Sequence, residues 1–165
     1  MRIIGFHGGS SMCELGPVSD VVLFFECLDV YVAQAHPEKD WSSLIDRLYR
    51  RYLRLEELDI ASELMNEAKN IFSTLPSSAI KWQKNMEGDT TKTRLDPNAT
   101  TLAEVFAKYF ENFTHCVESA KLFFGSWKIY QPVRTGTTDI PYFIVDKNRP
   151  LEDYEAIEGT PFWRQ

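Results

Sequence analysis

TLAEVFAKYFENFTHCVESAKLFF, residues 101–124, carries apolar side chains at intervals of three and four. That spacing places Leu102, Val105, Phe106, Tyr109, Phe110, Phe113, Val117, Ala120 and Phe124 on one broad stripe of a long helix. Thr101 and Glu104 supply the T-x-x-E pattern that satisfies the first free N–H groups of such a helix. Within it, adjacent residues diverge by about 100° around the axis. Cys116 therefore falls beside the apolar stripe and His115 opposite it, facing water. A stripe this wide and aromatic needs other layers to cover it, and the surrounding sequence offers them.

Three more helical segments are read, two of them clearly. Residues 18–35 are apolar enough for a buried helix, although periodicity leaves a strand starting near Leu28 open; Pro37 ends the segment. Asp40 can cap a short helix that gathers Trp41, Leu44, Ile45, Leu48, Tyr49 and Tyr52 on one side. A further helix turns Leu58, Ala61, Leu64, Met65, Ala68, Ile71 and Phe72 inward, with Glu56, Glu57 and Asp59 suited to its positive end. Pro76 stops it, and Glu63 and Glu67 fall on its solvent side. Residues 84–100 are polar and bear glycine and proline, the composition of a loop.

The strands are short. Residues 2–6 run into the glycine-rich stretch GFHGGSS, and residues 129–134 and 140–146 alternate as two strands joined by a Thr-Gly turn. The tail, 147–165, is proline-punctuated, with a helical turn expected around Leu151–Ile157. The expectation is a single α+β domain over residues 1–165, rich in helix, with a small, mostly antiparallel sheet.

Composition sets the functional frame. The chain has 165 residues, 44% of them hydrophobic, and a net charge of −6, enough for a core without disulfide or metal staples. An acidic balance disfavours binding to nucleic-acid phosphates and favours the approach of a basic partner. Cys13, Cys27 and Cys116 are odd in number and widely spaced, which fits reduced thiols rather than a disulfide scaffold. No secretory leader or uninterrupted membrane-length apolar run is read, so a cytoplasmic protein that does not enter membranes is expected.

The glycine-rich stretch lacks the lysine of a phosphate-binding loop and the glycine spacing of a dinucleotide fingerprint. No G-x-S-x-G elbow accompanies its HGG element, as an esterase would require. It reads as a turn. His7, His36 and His115 show no metal-binding spacing. No catalytic residue, metal or cofactor is therefore expected. Two alternatives stand beside this reading. One is a small hydrolase using His7, Gly8 and Gly9. The other is a nucleic-acid or regulatory adaptor using Arg47, Arg50, Arg51 and Arg54, although a solvated helix face, with Asp46 pairing to Arg50 one turn on, accounts for those arginines. From Gly136 onward the acids Asp139, Asp146, Glu152, Asp153, Glu155 and Glu158 outnumber the bases Lys147, Arg149 and Arg164. Tyr142, Tyr154, Phe162 and Trp163 lie among them. Asp139, Asp146, Glu152, Asp153, Tyr154, Glu155, Glu158 and Trp163 are the candidate partner-binding residues.

The order of motifs adds a resemblance. G-S-x-x-x-x-L-G between Gly9 and Gly16 leads to Phe24-Phe25. Trp41 then opens an L-I-D-R-L-Y helix ending at Tyr49. Y-L-R-L-E-E-L-D from Tyr52 links to an A-x-E-L helix through Leu64. L-P-S-S and A-I-K-W follow between Leu75 and Trp82, and then the helix start at Thr101–Phe110. This sequence resembles the bacterial immunity proteins that accompany contact-dependent growth inhibition and other polymorphic toxins. The likeness covers about the first two-thirds of the chain and rests on core and turn positions, none of them catalytic. It implies a cytoplasmic, non-enzymatic protein that binds the C-terminal domain of a cognate toxin and blocks its active site or substrate channel. Many such toxins are nucleases with basic clefts, to which an acidic inhibitor is suited.

Overall fold

A computed structural model of the chain describes residues 2–80, 93–127, 134–139 and 156–165. They form an α+β domain: helices cover a small sheet whose strands all pair antiparallel. The sheet has β1 (Ile3–Gly8), β2 (Ser11–Pro17), β3 (Leu53–Arg54) and β4 (Arg134–Asp139), in the spatial order β2-β1-β4-β3.

The glycine stretch is a hairpin. Gly8 pairs with Ser11, so Gly9 and Ser10 form a two-residue link, and Gly9 takes a φ of 56°. Glycine at the first central position of such a link is what a type II′ turn requires. The turn read from the sequence is therefore correct, but the strand that returns from it, β2, was not foreseen. Register shifts between Ile4, opposite Gly16, and Gly5, opposite Glu14. The extra residue, Leu15, is 3% exposed, so the bulge directs one more apolar side chain inward.

β4 corrects the sequence reading more sharply. The expected Thr-Gly turn between strands 129–134 and 140–146 is itself a strand, paired with β1 on one side and β3 on the other. Residues 129–133 and 140–146 lie outside the described residues. Threonine favours a pleated surface, and Thr135, Thr137 and Thr138 are all buried. Gly136 is there for space rather than for a turn. A Cβ on it would stand 2.9 Å from the Arg51 carbonyl oxygen, 3.1 Å from His7 Nε2 and 3.3 Å from Tyr52 Cα. A glycine in a strand often marks such a close approach.

The helices are α1 (Val18–Leu28), α2 (Leu58–Ser73), α3 (Leu102–Val105) and α4 (Ala107–Trp127). α1 does not yield to a strand at Leu28. It continues as a π-helical turn, Asp29–Ala33, and a second π-helical segment spans Ser43–Leu48. The long predicted helix breaks at Phe106, where φ is −105° and ψ is 21°. Its start is capped as expected: Glu104 N–H donates to Thr101 Oγ1 at 3.3 Å, while the Glu104 carboxylate accepts from Thr100 N at 2.8 Å. The expected helical turn at Leu151–Ile157 lies almost wholly outside the described residues. Beyond it, Glu158 and Gly159 make a tight turn, and Phe162–Arg164 a single 3₁₀ turn.

α4 lies across β1 and β2. The fit is close enough that a Cβ on Gly8 would overlap the Cys116 carbonyl. Phe6 on β1 meets Tyr109 and Phe113 edge-on. Behind them, Phe24 of α1 is fully buried against the rings of Phe25, Phe72, Phe106, Tyr109 and Phe110. One ring thus joins α1, α2 and α4, and truncating such a residue to alanine costs about 3–5 kcal/mol.

Asp20 of α1 fixes the loop leading to α3. It is 3% exposed, and its carboxylate accepts from Thr93 Oγ1 and from Arg94 N, each at 2.8 Å. Burial raises its pKa above the ordinary 3.8, more than the bonds from Arg94 and Thr93 lower it. The folded chain therefore holds this proton more tightly than the unfolded chain does. Stability associated with Asp20 then falls as pH rises from the unfolded value through the raised folded value, and is constant above it. The unfolding free energy of wild type minus that of Asp20→Asn, measured by urea titration, should decline with pH across that window and level off. A difference that rises with pH would contradict this account.

Candidate partner-binding groove

The two π-helical segments flank one groove of about 500 Å³. π-helical stretches are rare and concentrate at functional places in folds. Phe25 and Tyr49 stack at the groove with ring centroids 4.1 Å apart and planes 18° apart. Trp41, Ile45, Ala33 and Pro37 complete its apolar lining. Trp41 is held in place by its indole N–H, which donates to the His36 carbonyl at 2.9 Å.

The rim is acidic. Glu26, Asp29, Asp40 and Asp46 line the groove against two cations, Lys39 and Arg50. Lys39 is engaged by Glu67 of α2, and Arg50 lies 3.9 Å from Asp46. Asp29 accepts from Gln34 Nε2 at 2.9 Å. The Asp40 carboxyl is held below its usual range by hydrogen bonds from Ser42, first from the side chain and then from the backbone. It stays ionised at neutral pH.

The C-terminal residues pack against the other side of Tyr49. Trp163 lies 5.9 Å from that ring and donates from Nε1 to Thr137 Oγ1 at 2.8 Å. The Thr137 hydroxyl in turn donates to the Tyr49 carbonyl at 2.9 Å. Burial raises the Tyr49 phenol pKa, and a hydrogen bond from Arg164 partly offsets it.

This arrangement sorts the residues proposed from the sequence. Trp163 is corrected: at 1% exposure, with its indole N–H satisfied by Thr137, it is a core anchor and presents no surface to a partner. Glu158 is exposed at the tip of its turn. The adjacent Gly159 approaches Arg50, whose Nη1 stands 3.5 Å from where a Cβ would be. Glu158 thus reaches the neighbourhood of the groove. Asp139 ends β4, opposite Ile4. Asp146, Glu152, Asp153, Tyr154 and Glu155 lie outside the described residues.

The residues of the two alternatives are also placed. His7 is 3% exposed, set in the sheet opposite Gly136. Arg47, Arg50 and Arg51 are half-buried rather than fully solvated. Their Nε atoms are buried, with no hydrogen-bond partner among the described residues. The expected Asp46–Arg50 pair is present, and Arg47 donates to Glu57 at 2.8 Å. Arg54 is exposed, its guanidinium 5.7 Å from the Tyr52 ring centroid. His115 is exposed and Cys116 fully buried, as the helical geometry required. Among the described residues, no group of three or more His, Cys, Asp or Glu could hold a metal ion, and no helix is long and apolar enough to cross a membrane.

Sequence reasoning missed the groove itself. Its one visible sign was the pair Glu26 and Asp29, three residues apart within an otherwise apolar stretch. No protein-family model, curated protein or solved structure matches the chain.

The Trp163–Thr137–Tyr49 relay is testable by a double-mutant cycle read by urea unfolding. Trp163→Phe keeps an aromatic ring but removes the donor, and should cost about 1 kcal/mol beyond the change in ring size. Thr137→Val strands the indole N–H and should cost about 1–3 kcal/mol. The double variant should cost less than the two together; simple additivity would show that the hydroxyl and the indole are not coupled.

Proposed function

We propose that this chain is an immunity protein that works in the cytoplasm by binding the C-terminal domain of a cognate toxin and blocking its active site or substrate channel. The observation that carries the reading is the groove between the two π-helical segments. Aromatic rings form its floor, carboxylates form most of its rim, and Glu158 stands nearby. Such a surface suits the basic cleft of a nuclease. Its rings supply anchoring area, and its carboxylates raise the rate of productive encounter. The groove would form the centre of a standard interface, about 800 Å² on each partner. The resemblance in motif order points to the same class of protein.

Calorimetric titration into the purified toxin domain encoded beside the gene tests this first. Tight one-to-one binding with loss of toxin activity is the expected outcome. No heat at micromolar concentrations would reject the pairing. In the complex, Glu26→Lys combined with Asp29→Lys should slow association at low salt more than it speeds dissociation, with the difference shrinking as salt is added. An unchanged association rate would remove the groove from the interface.

A further inference from the structure

Among the described residues β2 is an edge strand of the sheet, and it crosses α4 at three successive points. Asn112 Nδ2 donates to the Glu14 carbonyl at 3.2 Å. Ser11 Oγ and His115 Nε2 lie 3.3 Å apart. Between these two contacts, Cys13 faces Cys116. Cys13 pairs with Phe6 and so lies on the sheet face that Phe6, Gly8 and Ser11 turn to α4; a Cβ on Gly8 would stand 2.9 Å from Cys116 Cβ, which brings the two thiols together as neighbours. Both cysteines are free. Cys13 is half-buried on the edge strand, within reach of solvent, whereas Cys116 is fully buried behind it. Cys27, the third thiol, is 4% exposed in α1 and is pushed up to about 12, chiefly by burial.

We infer that Cys13 and Cys116 are a paired oxidation site that closes to a disulfide when the chain meets a low-molecular-weight disulfide such as oxidised glutathione. The accessible member acts first. The Cys13 thiolate attacks one sulfur of the small disulfide, whose S–S bond breaks to release one thiolate and leave a mixed disulfide on Cys13. Cys116 then loses its proton to solvent and attacks the Cys13 sulfur, expelling the second small thiolate. Two protein thiols are oxidised by two electrons, and one small disulfide is reduced to two thiols.

The geometry also sets the rates. Burial holds the Cys116 thiol well above its ordinary value, so the closing step is slower than capture. It should accelerate about tenfold per pH unit as the thiolate fraction grows. The closed ring would span nearly the whole distance from the hairpin to α4, a loop of about 100 residues, and on the chain-entropy scale this raises the melting temperature by roughly 10 °C. None of this depends on the toxin-binding reading.

The test is incubation of the purified full chain with excess oxidised glutathione from about pH 7 to 9, followed by alkylation, intact mass and peptide mapping. Wild type should lose two thiols and gain a link between the Cys13 and Cys116 peptides, with Cys27 alkylated. Cys27→Ser should behave the same way, and Cys116→Ala should stop at a glutathione adduct on Cys13. A stable Cys13 adduct in wild type, a link through Cys27, or three free thiols after prolonged exposure would each overturn the inference. Should Cys116→Ala not fold, the wild-type map decides alone.

Discussion

The Thr137 hydroxyl joins three parts of the chain that are far apart in sequence. It accepts the Trp163 indole N–H and donates to the Tyr49 carbonyl, so the C-terminal turn, strand β4 and the residue that follows the second π-helical segment share one buried oxygen. A hydroxyl has one proton to give and lone pairs to accept with, and here both capacities are used. Beside it, Gly136 lets the Arg51 and Tyr52 backbone lie against β4, because no side chain stands between them. A larger residue would push the 49–54 segment away from the sheet and break the hydroxyl relay with it.

The groove depends on that attachment. Tyr49 stacks on Phe25 on one side and approaches Trp163 on the other, so its position is fixed by the core rather than by the short segment that carries it. Asp29 and Asp46 of the two π-helical segments, with Glu26 of α1 and Asp40, place carboxylates around the groove that this ring floors. The acidic rim is therefore held on a rigid aromatic floor, an arrangement that limits the side-chain entropy lost on binding.

Much of the helical layer was legible because it follows one period. The inward residues of α2 and α4 repeat by threes and fours, and the Thr101 cap has a local pattern that needs no tertiary knowledge. β4 was illegible for the opposite reason. Thr135-Gly136-Thr137 contains turn-like glycine, and only the backbone at Arg51 and Tyr52, more than eighty residues away in sequence, explains why glycine is needed there. β2 was hidden by its bulge at Leu15, which breaks the alternation a strand would show. Trp163 looked like an interface residue from its aromatic, acidic surroundings, and its partner Thr137 could not be inferred from either segment alone. The groove was hidden in the same way: Glu26, Asp29, Asp40 and Asp46 are scattered charges until α1 and the second π-helical segment meet.

Under the proposed function, a toxin domain would dock in the groove between Phe25 and Arg50. Hydrogen–deuterium exchange of the chain, alone and saturated with its toxin domain, tests it most directly. Slowed exchange concentrated in residues 25–50 is the expected result. Unchanged exchange across that segment, with protection confined to the hairpin and α4, would contradict it.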